Sequence, residues 1–118
     1  MSAYKYKRYK KKNNYSKELV GYVYIIKLLI PNNICYKVGF TSRNYLDRIK
    51  EYSYPYELIG VFEGSAYECY RLEQKIRKDN KYYKHYLTDS KYRFSGYTEI
   101  YSVIVGVSLL TSKLKTIS

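Results

Sequence analysis

The sequence predicts an α+β fold, a small antiparallel sheet of three strands flanked by helices. Three observations carry that expectation. Gly21 to Ile30 is dense in β-branched and aromatic residues, a second such run follows directly after Pro31-Asn32-Asn33, and Ala66 to about Asn80 repeats apolar residues at helical spacing.

The first run, Tyr22-Val23-Tyr24-Ile25-Ile26-Lys27-Leu28-Leu29-Ile30, has almost no polar residue on either face, which suits a central strand covered on both sides. Pro31-Asn32-Asn33 supplies a turn. Ile34 to Thr41 then alternates, with Tyr36, Val38 and Phe40 on one face and Cys35, Lys37 and Gly39 on the other, so the two runs read as a hairpin. Thr41 and Ser42 are expected to cap a short helix reaching Tyr52, with Tyr45, Leu46, Ile49 and Tyr52 turned inward and Pro55 blocking continuation. Tyr56 to Phe62 supplies the third strand through Leu58, Ile59, Val61 and Phe62, and Gly64-Ser65 ends it.

In the helix from Ala66, a turn of about 100° per residue brings Ala66, Cys69, Leu72 and Ile76 onto one face. Glu73 falls on that face too. Its neighbours Glu68, Arg71, Lys75 and Lys78 point away, so one carboxylate is aimed at the core side without a packing reason. Lys81 to Arg93 reads as loop or frayed helix, Phe94 to Tyr101 as a turn with a short returning strand, and Val103 to Leu114 as an amphipathic helix or, alternatively, an edge strand.

With 118 residues the chain has room for one domain, expected over residues 18–118, and a short extension, residues 1–17. Lys and Arg number 22 against 10 Asp and Glu, a formal charge of +12 that suits a polyanionic partner. Nucleic acid is the expected partner, although an anionic membrane surface or a ribosome-like assembly would match the same charge. The extension carries Lys5, Lys7, Arg8, Lys10, Lys11, Lys12 and Lys17 without an acid, interleaved with Tyr4, Tyr6, Tyr9 and Tyr15. Such an arm can neutralise phosphates and stack on bases, or simply solubilise the chain.

Two cysteines, Cys35 and Cys69, stand far apart with no histidine cluster, which points to buried thiols and away from a zinc site or disulfide scaffold. The charged N-terminus lacks the apolar core of a secretory signal, and the apolar runs are too short to span a membrane. The expected place is therefore inside a cell, in host cytoplasm or nucleoid, with no membrane partner.

The order of a tyrosine-bearing hairpin, an arginine-bearing helix, a third strand and a glutamate-bearing helix resembles the GIY-YIG nuclease superfamily over Val20 to Tyr101. Tyr22-Val23-Tyr24 matches the first half-motif with Gly21 displaced by one position. Lys37-Val38-Gly39 matches the second with a lysine in place of tyrosine. The stretch Tyr36-Lys37-Val38-Gly39-Phe40-Thr41 looks most like a branch common in phages, large viruses and mobile elements.

The resemblance implies a site. It sets Tyr24, helped by Lys37 or Tyr36, to orient or deprotonate a water, Arg48 to neutralise the scissile phosphate, and Glu73 to hold Mg²⁺ or Mn²⁺. Gly39, Thr41 and Glu99 become supporting or substrate-contacting residues. The family often carries histidine just after the arginine helix or after the glutamate, and Tyr52 and Arg77 stand near those places here. His85, the single histidine, reads as solvated loop.

Phosphodiester hydrolysis asks independently for a positioned water, a divalent cation and a cation against the developing charge. Each residue alone also has a plainer role. Tyr24 suits a core or rim position, Lys37 a solvated strand, Arg48 a surface ion pair, and Glu73 a pair with Arg71 or Arg77.

The expected activity is a Mg²⁺-dependent DNA endonuclease, with RNA as the other substrate. The alternatives are a catalytically weakened domain binding structured DNA or RNA, and a small inhibitor of host machinery. Oligomeric state stays open between monomer and dimer.

Overall fold

The computed structural model describes residues 19–118. The arm residues Lys5, Lys7, Arg8, Lys10, Lys11, Lys12 and Lys17 lie outside them.

Val20–Ile30 forms strand β1, and the two-residue turn Pro31-Asn32 returns the chain as β2, Asn33–Thr41, pairing Ile30 with Asn33 and Tyr22 with Thr41. Proline presets the first turn position. Asn32 takes φ of 59°, a left-handed conformation that asparagine tolerates better than most residues.

Tyr45–Ile49 makes the short helix α1, Tyr56–Ser65 the strand β3, and Ala66–Asp79 the helix α2. Two single-turn 3-10 segments follow, Lys81–Tyr83 and Ser90–Tyr92. Val107–Lys113 is α3, and Lys115–Thr116 is β4. Among the described residues one antiparallel sheet runs in the order β2-β1-β3-β4.

The expected class holds, but the sheet has four strands where three were expected. β4 is two polar residues long, so it carries no alternation to read. It exists because the outer edge of β3 is open, and Phe62 and Glu63 pair there with Thr116 and Lys115.

β1 is covered on both faces. Val23 and Ile25 pack with Val38, Phe40 and the apolar side of α2, joined by Leu110 and Leu114 from the C-terminal segment. Tyr24, Ile26, Leu28 and Ile30 pack on the opposite face with Cys35, Ile49, Leu87 and Ile100. Cys35 and Cys69 are free and buried on different faces, and burial pushes their thiols up to about 11 and about 12.

α2 follows its sequence closely. Ser65 caps it by accepting the Glu68 N–H at 3.2 Å, and Ala66, Cys69, Leu72, Glu73 and Ile76 are all buried. Arg71 pairs with Glu68 and Lys75 with Asp79, each at 3.1 Å on the outer face.

Other boundaries differ. The cap of α1 is Asn44, whose Oδ1 accepts the Leu46 N–H at 2.9 Å, while Thr41 turns its hydroxyl to the Arg43 N–H at 3.0 Å. With the helix starting later and turning less than expected, Leu46 is 45% exposed and Ile49 alone of the helix is buried.

Ile59 is likewise 49% exposed because a bulge between Ile25 and Ile26 skips it in the pairing with β3. α3 starts only at Val107, since the main chain of Val105 is held by the buried side chain of Asn80 at 2.8 and 3.0 Å. His85 is not a solvated loop residue, because its ring spans Ser102 Oγ at 3.3 Å and Asn33 Oδ1 at 3.1 Å.

Candidate active site

Pairing of β1 with β2 sets Tyr24 against Gly39 and Ile26 against Lys37, so Tyr24 and Lys37 share one face of the sheet. β2 is an edge strand, and the chain after α2 wraps that edge: Tyr101 exchanges backbone hydrogen bonds with Tyr36 at 2.7 and 2.8 Å. This wrap brings Glu99 beside Lys37.

The Tyr24 hydroxyl lies 3.2 Å from that of Tyr52. Burial raises the Tyr24 phenol above its ordinary value, partly offset by Tyr52 and by the nearby charge of Arg48. Tyr52 is raised for the same first reason. Both therefore stay neutral and act as hydrogen-bonding groups near neutral pH.

Lys37 sits at the centre. Burial lowers the pKa of its ammonium, Glu99 at 3.7 Å works in the opposite direction, and the charges of Arg77, Glu73 and Arg48 also reach it. Gly96, with φ of 87°, crosses so close that a Cβ there would stand 3.4 Å from Lys37 Nζ, so the closing turn roofs the lysine directly.

Glu73 is 4% exposed, and burial raises its carboxyl to about 7 against the favourable charge of Arg77. Its Oε1 accepts from Gln74 at 2.6 Å and lies 3.9 Å from Arg77 Nη1. Arg77 is also held by Glu99; burial works to lower its pKa, but Glu73, Glu99 and Tyr101 together raise it. Thus the plainer pairing of Glu73 with Arg77 exists, whereas Arg71 is turned to Glu68.

Arg48 projects from α1 into the same region. Its guanidinium is held by Glu51, which also bonds Arg43 at 2.9 Å, and those two arginines pull the Glu51 carboxyl below its usual value. A cleft of about 420 Å³ opens between these groups, lined by Lys37, Arg48, Glu51, Tyr52, Gly96 and Glu99 among others.

The fold thus gathers Tyr24, Lys37, Arg48, Glu73 and Glu99 into one electrostatically coupled cluster. Tyr36 stands on the opposite face of β2 from Lys37, the face against which α2 packs, so it and Tyr24 lie on opposite sides of the sheet. Gly39 earns its place by lack of bulk, lying against the Tyr24 ring. Thr41 sets the turn into α1 through Arg43.

Sequence reasoning did not assign roles to Tyr52, Arg77 and Glu51, yet all three belong to the cluster. The sequence had marked two of them in plainer terms, Tyr52 as an inward residue of the short helix and Arg77 as a partner for Glu73.

As to a metal, no group of three or more His, Cys, Asp or Glu residues is placed to hold one among the described residues. A single carboxylate still suits Mg²⁺, which keeps most of its waters and takes substrate phosphate oxygens. Glu73 offers a donor of that type, with the Arg77 guanidinium 3.9 Å from it and Glu99 on the same arginine.

Among the described residues no helix is long and apolar enough to cross a membrane. No curated protein and no solved structure matches the chain. The T5orf172 domain matches residues 21–106, a stretch that contains every member of the cluster. This match corrects the resemblance drawn from the half-motifs: the family shown is T5orf172, not the GIY-YIG nuclease superfamily. The points of departure were visible in the displaced Gly21 and in Lys37 standing for a tyrosine. The family is phage-type, and its domains are associated with nuclease-like or DNA-binding function. Because the match spans most of its length, the chain belongs to the T5orf172 domain family.

Proposed function

We propose that this domain is a metal-dependent endonuclease acting on phosphodiester bonds of DNA. The observation that supports the reading is the electrostatic coupling of buried Tyr24 and Glu73 to Lys37 and Arg48, two residues that line one polar cleft.

The roles divide by protonation. Tyr24, kept neutral by burial, orients the attacking water through its hydroxyl, and Tyr52 fixes that hydroxyl. Lys37 is the better proton acceptor, because burial and neighbouring cations favour its neutral amine. Glu99 holds the lysine in place and limits how far its basicity falls. Arg48 takes the scissile phosphate once Glu51 gives way, and its fixed charge stabilises the extra negative charge of the transition state. Glu73 is the residue to hold Mg²⁺ or Mn²⁺, which when bound would supply Lewis-acid stabilisation of the leaving 3′ oxygen.

A second reading is a domain that binds nucleic acid without cutting it. Arg77 favours it, since a guanidinium 3.9 Å from Glu73 already neutralises the carboxylate.

Nicking of supercoiled plasmid with Mg²⁺ or Mn²⁺ separates the two. Arg48→Ala and Glu73→Ala should each lower the rate by about 10²-fold or more while plasmid binding persists. Cleavage by both variants at the rate of the unaltered protein would remove these residues from the chemistry. Binding with no cleavage by any of the three would establish the second reading.

A further inference from the structure

The segment joining α2 to the roof of the cleft exposes three tyrosine rings. Tyr82 is 85% exposed, Tyr86 73% and Tyr83 42%. The backbone beneath them is nevertheless anchored. Tyr83 donates its N–H to Asn80 at 2.9 Å and accepts from Ser102 at 2.7 Å, and His85 donates to Ile100 at 2.9 Å. Leu87 is buried just beyond, and the His85 side chain is tied at both ring nitrogens. Exposed aromatic rings on a pinned backbone give up little conformational freedom when they meet a flat ligand.

The charge of the strap names the class of that ligand. Lys81 and Lys84 stand in the strap, residues 81–86, with no acid among them. The Lys81 ammonium lies 5.1 Å from the centre of the Tyr82 ring. Lysines interleaved with exposed tyrosines suit a strand that offers phosphates and bare base faces together. A duplex keeps those faces inside its stack.

Position completes the argument. Lys84 bridges Tyr101, and Tyr101 bridges Tyr36, the neighbour of Lys37. The strap is therefore about 10 Å, two strand spacings, out from the edge strand that carries the central lysine.

We propose that the strap Lys81 to Tyr86 is a stacking platform for unpaired bases, so that the substrate carries a single-stranded segment along the sheet edge that β2 forms. This rests on the nucleic-acid reading above and specifies its substrate.

The test is fluorescence anisotropy of the full chain with a labelled oligothymidine strand and with the same strand annealed to its complement. Replacing Tyr82 and Tyr86 together by Ala should weaken single-strand binding by about ten-fold or more and leave the duplex nearly unchanged. Replacing both by Phe should restore the affinity, since a phenyl ring still stacks. Unchanged single-strand binding, or an equal loss on both probes, overturns the platform. Arg48→Ala keeps the two ideas apart: if it nicks plasmid at the rate of the unaltered protein while the Ala pair loses the single strand, the platform stands and the cleft reading falls.

Discussion

Gly39 lies directly against the phenol ring of Tyr24, so a methyl group added to Gly39 would overlap that ring and its hydroxyl. Glycine here is a matter of space, since the backbone on either side is ordinary paired strand. Gly39→Ala should either push Tyr24 away from Tyr52 or cost about 1–3 kcal/mol as overpacking. Urea unfolding together with plasmid nicking measures both. A variant with full stability and full activity would mean that Tyr24 has room the structure does not show.

Glu73 carries a prediction about pH. Its folded carboxyl titrates near 7 against an ordinary value of 4.5, so ionisation weakens the folded state. The penalty is absent below the unfolded value, grows between the two, and is complete above the folded one. Glu73→Gln never ionises. Its melting temperature should exceed that of the unaltered chain at about pH 8, with the gap closing at about pH 4. A gap independent of pH would place the effect in packing instead.

Glu51 occupies the guanidinium that a phosphate would need, holding Arg48 and Arg43 at once at the mouth of the cleft. The pairs are exposed, so their net strength is small. Glu51→Gln should tighten binding of DNA by about two- to five-fold, a gain that shrinks as salt is raised. Weaker binding in a titration would show that Glu51 serves to aim Arg48.

Asn80 ties the end of α2 to the C-terminal segment. Its side chain donates to Ile76 O at 2.7 Å and Val105 O at 3.0 Å and accepts from Val105 N–H at 2.8 Å, with no exposure to solvent. Asn80→Ala strands those backbone groups and should cost about 2–3 kcal/mol. Hydrogen exchange at Val105 should quicken more than at Ile25. Equal protection at both amides would contradict the tie.

Much of the fold was legible in short stretches. The hairpin of β1 and β2, the start of α2 at Ala66 and the inward face of that helix all followed from periodicity and from Pro31 and Ser65. Glu73 announced itself as a carboxylate on an apolar face, and it is buried as that spacing implied. The bulge at Ile59 and the pairing of Lys115 with Glu63 had no such signal, because each depends on a neighbour distant in sequence. The cap at Asn44 is local and competed with Thr41 and Ser42 as alternative caps. The family was misjudged from half-motifs that matched with substitutions.

The chain by itself determined its first three strands, its main helix, its positive charge and the residue types of the cluster, since each is set by local periodicity and composition. Tertiary structure alone decided that Glu99 reaches Lys37 and Arg77, and that Tyr52 rather than Tyr36 partners Tyr24. Those relations form between segments far apart in the chain. Side-chain charges act over a few ångströms, and only the folded backbone brings residues tens of positions apart within that range.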